Sequence, residues 1–116
     1  QMVDDALDFA PESVTGKPTG GDVREGKLTP PLRLYRDSLN AEERSAFDAA
    51  FCAGLMTEAD AASIAESIRQ AGYDDAVRRQ ADEFLDAARQ ALETLPDRPE
   101  RELMRQMADY VRDRKK

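Results

Sequence analysis

Three carboxylates within the first nine residues carry the clearest chemistry in this chain. In Gln1-Met2-Val3-Asp4-Asp5-Ala6-Leu7-Asp8-Phe9 the pattern D-D-x-x-D lies inside an otherwise apolar run. On a helix, residues four apart share one face, so Asp4 and Asp8 sit a turn above one another while Asp5 points about 100° away. Like charges on an apolar helix repel each other and lose solvation unless a cation sits between them. Hard carboxylate oxygens on a rigid helix suit Mg²⁺, which keeps several waters and takes one or two protein carboxylates plus substrate phosphates. The stretch therefore reads as half of a metal–phosphate clamp. Its plain alternative is a solvated acidic face near a helix start, where the helix dipole favours negative charge. A calcium loop is excluded, because no glycine follows at the sixth position and no glutamate at the twelfth.

After a turn at Ala10-Pro11, the segment Thr15-Gly16-Lys17-Pro18-Thr19-Gly20-Gly21-Asp22-Val23-Arg24-Glu25-Gly26-Lys27 supplies what the clamp lacks. Its glycines let the backbone approach an anion closely, and Lys17 and Lys27 are compact point charges for phosphate. Ordinary surface lysines are the alternative. Asp22 has two readings: it braces the loop by accepting backbone amides, or it serves the metal. Arg24 and Glu25 read as solvated.

These residues carry a family resemblance. D-D-x-L-D-F, then G-K-x-x-G-G-D, then E-G-K-L-T resemble the second aspartate-rich motif and following loop of the trans-polyprenyl diphosphate synthases. Ala91-Leu92-x-x-Leu95-Pro96 and Met107-Ala108-Asp109-Tyr110-Val111-x-x-Arg114 agree at the other end, so the resemblance covers nearly the whole chain. It implies the C-terminal part of an isoprenoid-synthase helical bundle, with residues 1–27 holding the second motif and diphosphate loop and residues 28–116 the C-terminal helices. It also implies a prenyltransferase that condenses an allylic diphosphate with isopentenyl diphosphate, with Mg²⁺ as cofactor and a homodimer as the whole protein. Asp4, Asp5, Asp8 and Lys17 would be catalytic, Asp4 and Asp8 would hold the metal, and Gln1, Lys17 and Lys27 would serve the diphosphate. Gly20-Gly21-Asp22 and Leu28-Thr29-Pro30-Pro31 look more like the bacterial medium- and long-chain branch, such as the heptaprenyl and octaprenyl synthases. Pro30 departs from the leucine more usual there, which bears on the helix start. In some family members a basic tail reaches the homoallylic diphosphate, which makes Arg112, Arg114, Lys115 and Lys116 a weaker candidate than a frayed end. A terpene cyclase of the same architecture and a non-catalytic helical subunit are the other classes. Cyclases usually place Ser or Thr where Asp8 stands and lack the glycine–lysine loop, although Glu12 fits their pattern.

Composition sets the outer limits. With 116 residues and a net charge of −7, no histidine and no tryptophan, the chain is at most one domain and lacks the positive field that nucleic acid requires. The single Cys52 excludes an internal disulfide and fits a reducing compartment. No run is long enough to span a membrane and no secretory signal is evident, so a cytoplasmic protein is expected. Gln1 falls inside a motif and has no helix cap before it. The chain therefore reads as the C-terminal piece of a longer protein, inactive alone, whose first aspartate-rich motif and isopentenyl diphosphate site lie upstream.

The elements that must position these groups are helical. Thr29-Pro30-Pro31 opens a helix to about Ser38, because proline is tolerated in a first turn. Asn40 with Glu43 resembles a capping box, and the helix it opens turns Ala46, Phe47, Ala50 and Phe51 to one face and stops at Gly54. Thr57 caps the next helix, whose stripe is Ala61, Ile64, Ala65 and Ile68 and which Gly72 ends. The longest helix starts at Asp74, with Val77, Ala81, Phe84, Leu85, Ala88, Ala91, Leu92 and Leu95 at helical period, and Leu95-Pro96 ends it. Pro99 opens a last helix bearing Leu103, Met104, Met107, Ala108 and Val111. Cys52, Met104 and Met107 read as core residues. No stretch alternates with period two, so the fold class is all-α.

Overall fold

The computed structural model describes residues 1–114, and Lys115 and Lys116 of the basic tail lie outside them. Among the described residues the regular elements are all helical, as the periodicity predicts: α1 (Met2–Leu7), α2 (Glu12–Thr15), α3 (Gly21–Arg24), α4 (Pro30–Ser38), α5 (Ala41–Cys52), α6 (Glu58–Ala71), α7 (Tyr73–Leu92) and α8 (Pro99–Asp113). The glycine–lysine segment, expected as loop, folds part of its length into the short α2 and α3.

The helix boundaries follow local chemistry. Two prolines occupy the first turn of α4, where amides are unpaired in any case. The Asn40 side chain accepts the Glu43 amide at 2.8 Å. Thr57 and Asp60 exchange side-chain and backbone bonds in a complete capping box on α6. Gly72 adopts φ 75°, the left-handed cap that separates α6 from α7.

The α6 stripe is the centre of the molecule. Ala61, Ile64, Ala65 and Ile68 are all buried, and Phe9, Val23, Leu32 and Phe47 converge on them from α1's end, α3, α4 and α5. Tyr35 meets Phe47 edge-on at 5.9 Å and Phe51 stacks on Phe47 at 5.3 Å. A second, smaller seam packs Val3 and Leu7 of α1 against Ala81 of α7. The acidic helix is thus held on two sides by apolar contacts, with one flank left open.

Three expectations are corrected. Cys52 is exposed rather than core, because α5 ends there and the residue sits about 100° round the helix from Phe51. Helix α7 stops at Leu92 rather than Leu95, and Phe84 and Leu95 on its expected apolar stripe are exposed. Met104 and Met107 are 50% and 61% exposed, and α8 buries no residue completely. The physical reason is shared. Val77 and Ala81, in the first half of α7, face the body of the protein, whereas α8 packs chiefly on α7 and covers only one flank of it. Ion pairs hold that hairpin: Asp109 of α8 meets Arg89 of α7 at 3.2 Å, and Arg105 of α8 pairs with Glu93 at the end of α7. The hairpin draws the molecule out to a radius of gyration of 17.0 Å, against about 13 Å for a compact chain of roughly 100 residues.

A contrast between helices tests this distribution of the core. Replacing the buried Ile68 by alanine is expected to lower the unfolding free energy by about 2–5 kcal/mol, whereas Met107→Ala should change it by less than about 0.5 kcal/mol. Urea denaturation followed by circular dichroism separates the two, and comparable losses in both variants would refute it.

Candidate functional site

Helix α1 ends at Leu7, and Asp8 is its C-cap residue, still in helical conformation. From there the chain turns back on itself, and Asp8 holds the return. Its carbonyl accepts the Gly20 amide at 2.8 Å and the Thr19 hydroxyl at 3.3 Å. Its carboxylate Oδ2 accepts the Asp22 amide at 3.0 Å. Gly20 has φ 77°, and a Cβ there would lie 3.0 Å from both the Cβ and the carbonyl oxygen of Ala61, so only glycine fits between loop and core helix. From α6, Arg69 donates to the Phe9 carbonyl at 2.7 Å and pairs with Glu66.

The fold-back closes a cleft of about 600 Å³ that brings together all the site residues read from the sequence: Gln1, Asp4, Asp5, Asp8, Lys17 and Lys27, with Asp22, Thr29 and Arg114 beside them. Asp4 projects from α1, half exposed, and Arg114 Nη1 lies 2.6 Å from its Oδ1. Asp5 is only 8% exposed and accepts a hydrogen bond from Gln1 Nε2 at 3.0 Å. Lys17 is exposed at the rim, its amide donating to Thr15 Oγ1 at 3.2 Å. Lys27 pairs with Glu25 at 2.6 Å, and its amide donates to the Asp22 carbonyl at 2.9 Å.

The electrostatics are those of a site short of positive charge. Burial pushes the Asp8 carboxyl above its usual value, against the pull of the Asp22 and Gly21 amides. Burial also raises Asp22, to about 6, with the Asp8 charge adding to the shift and Lys27 opposing it. Lys27 itself is held more firmly protonated by its hydrogen bond to Glu25, and Glu25 is correspondingly lowered. Among the described residues no three acidic, cysteine or histidine side chains converge closely enough to enclose a metal. Mg²⁺ does not require such a cage, because one or two carboxylates with waters and phosphate oxygens suffice. The donor set fits it: hard oxygens only, two of them on carboxyls whose ionisation the protein alone opposes.

The loop brace proves to be Asp8 rather than Asp22. Arg69 and Thr19, which tie the loop and the end of α1 to α6, escape a motif reading because each bonds a carbonyl distant in sequence. Arg114 enters the cleft through its ion pair to Asp4, as part of the tail that the sequence ranks only as a weak candidate.

Searched against family models, the chain matches none. It is 34% identical to a geranylgeranyl diphosphate synthase of Methanosarcina mazei over 96% of its own length and 33% of that protein's. It is 36% identical to heptaprenyl diphosphate synthase component 2 of Geobacillus stearothermophilus, over 96% of the chain and 34% of the relative. A solved decaprenyl diphosphate synthase from Rhodobacter capsulatus superposes with a TM-score of 0.83 at 35% identity, covering the whole chain and 36% of that structure. The chain thus spans about a third of the length of the relatives it matches.

The raised Asp22 carboxyl gives a test without metal. A group whose folded-state value lies above its unfolded value favours the protonated fold, so the contribution of Asp22 to stability is fully present below about pH 4 and is lost as pH rises towards 6. Carboxyl NMR titration of metal-free protein should place the Asp22 midpoint near 6 and move it down in Asp8→Asn. A midpoint at the ordinary aspartate value of about 3.9 would refute the crowding of the two carboxylates.

Proposed function

We infer that this chain, a member of the trans-polyprenyl diphosphate synthase family corresponding to its C-terminal portion, forms the allylic-diphosphate side of a chain-elongating prenyltransferase. The observation that carries the reading is the cleft. Carboxylates from α1 and lysines from the returning loop, opposite in charge, line the same cleft. Carboxylates and lysines lining one cleft can bind a diphosphate together, the carboxylates through a divalent cation and the lysines by direct charge.

In the proposed reaction an allylic diphosphate ionises and the double bond of isopentenyl diphosphate attacks the resulting cation, with loss of a proton. Bound Mg²⁺ would act as a Lewis acid, stabilising the charge that develops on the leaving diphosphate. Asp4, with a half-exposed carboxylate on the open flank of α1, would be the direct ligand. Asp8 engages loop amides with its carboxylate and acts in support, holding the loop and the charge together. Asp5, buried and bonded to Gln1, orients that glutamine towards the reacting centre. Lys17 and Lys27 neutralise diphosphate oxygens, and pairing with Glu25 keeps Lys27 charged and in place. Groups already in position where charge develops need no reorganisation as the bond breaks, and such electrostatic stabilisation is usually the main source of catalytic acceleration.

The whole protein is proposed to work in the cytoplasm as a homodimer and to need the upstream portion for activity. No helix among the described residues is long and apolar enough to cross a membrane. Gly20-Gly21-Asp22 and the Leu28-Thr29-Pro30-Pro31 turn favour a medium- or long-chain product. A cyclase is not favoured, because Asp8 and the glycine–lysine loop are both used in building the cleft.

The test uses full-length protein with farnesyl diphosphate, labelled isopentenyl diphosphate and Mg²⁺. A product ladder ending at one prenyl length is expected, and Asp4→Ala or Lys17→Ala should cut turnover by about a hundredfold or more. A cyclic hydrocarbon, or unimpaired turnover in either variant, would overturn the assignment.

A further inference from the structure

Arg114 is a charged group in the cleft that the proposed chemistry does not use. Its guanidinium reaches Asp4 Oδ1 at 2.6 Å, on the carboxylate assigned as the metal ligand. The contact is built from three helices. Arg78 of α7 donates to the Arg114 carbonyl at 3.1 Å, fixing the backbone just past α8 so that the side chain crosses to α1. The segment behind it is held lightly. Helix α8 buries no residue fully, and it is joined to α7 through side chains that remain partly exposed, Asp109 to Arg89 and Arg105 to Glu93.

We propose that Arg114 is a displaceable internal cation, which occupies Asp4 in the metal-free protein and must leave for a divalent ion to load. The inference rests on the reading of Asp4 as the metal ligand. A divalent ion on that carboxylate would sit about 2.1 Å from oxygen, placing it against a guanidinium already at hydrogen-bond distance from the same atom. Two cations sharing one exposed carboxylate repel, and the weaker partner yields. The pair is half exposed on both sides, and exposed ion pairs are individually weak. Arg114 is therefore suited to relieving the acidic cleft without blocking the metal. Loading the ion releases the end of α8, which couples occupancy of the cleft to the position of the C-terminal segment.

Mn²⁺ titration of full-length protein, with free ion read by electron paramagnetic resonance, tests this without reference to turnover. Arg114→Ala should tighten Mn²⁺ binding about two- to fivefold, the range an exposed pair represents. Arg112→Ala removes the same charge two residues away and should leave the affinity unchanged. Hydrogen exchange of the peptide ending α8 should rise when Mn²⁺ is added to the unmodified protein. Unchanged or weaker binding in Arg114→Ala, equal tightening in both arginine variants, or exchange that ignores Mn²⁺ would each overturn the proposal. Asp4→Asn separates the two readings: if it weakens Mn²⁺ binding while Arg114→Ala changes nothing, the displaceable cation alone fails. If Asp4→Asn has no effect, the metal assignment fails with it.

Discussion

The hydrogen bonds converging on Asp8 are what the rest of the site depends on. One residue at the end of α1 binds Gly20 and Thr19 through its carbonyl and Asp22 through its carboxylate. That arrangement makes the loop and the acidic helix a single rigid unit. A loop of this length, rich in glycine, would otherwise sample many conformations, and ordering it is costly. Charge-assisted bonds from backbone amides to a carboxylate are among the stronger hydrogen bonds available. They bring a lysine-bearing segment to the same cleft as carboxylates it would otherwise meet only in passing.

This hub is itself carried by the apolar interior. Phe9 follows Asp8 directly and is fully buried against the α6 stripe, while Val23 anchors the far end of the loop in the same cluster. The polar turn between them is therefore stretched between two hydrophobic pins. Arg69 adds a third restraint by satisfying the Phe9 carbonyl where helix α1 no longer can. Gly20 sits against Ala61 with no room for a side chain, so the loop lies directly on the core helix. A displacement in α6 would be felt at the carboxylates through a few rigid contacts.

How much of this the sequence discloses depends on the range of each interaction. The caps at Asn40, Thr57 and Gly72 are local, and the α6 stripe is periodic, so both are readable from neighbours in the chain. The aspartates and lysines announce themselves by type and spacing. Asp8 as brace does not, because its partner amide lies fourteen residues away and any acidic residue nearby would have satisfied the same expectation. The apolar residues of α8 mislead for a different reason. Leu103, Met104 and Met107 carry the period of a packed helix, and period reports which face is apolar, not what covers it. Cys52 fails likewise, because its apolar neighbours in sequence point elsewhere once the helix is wound.

The same physics explains why a site of this kind sits at the edge of the core. Four aspartates line one cleft, and two of them, Asp8 and Asp22, have carboxyls that burial and neighbouring negative charge hold above their ordinary values. Such an arrangement opposes folding whenever those groups ionise. It is tolerable only where nearby cations and amides oppose it, as Lys27 does for Asp22, and where the hydrophobic centre lies far enough away to remain dry. The α6 cluster meets that condition, touching the site through Phe9 and Val23 but sharing none of its charges. Unrelieved negative potential is then confined to an open cleft that a divalent cation can enter. The feature that weakens the fold locally is the one that would draw the cation in.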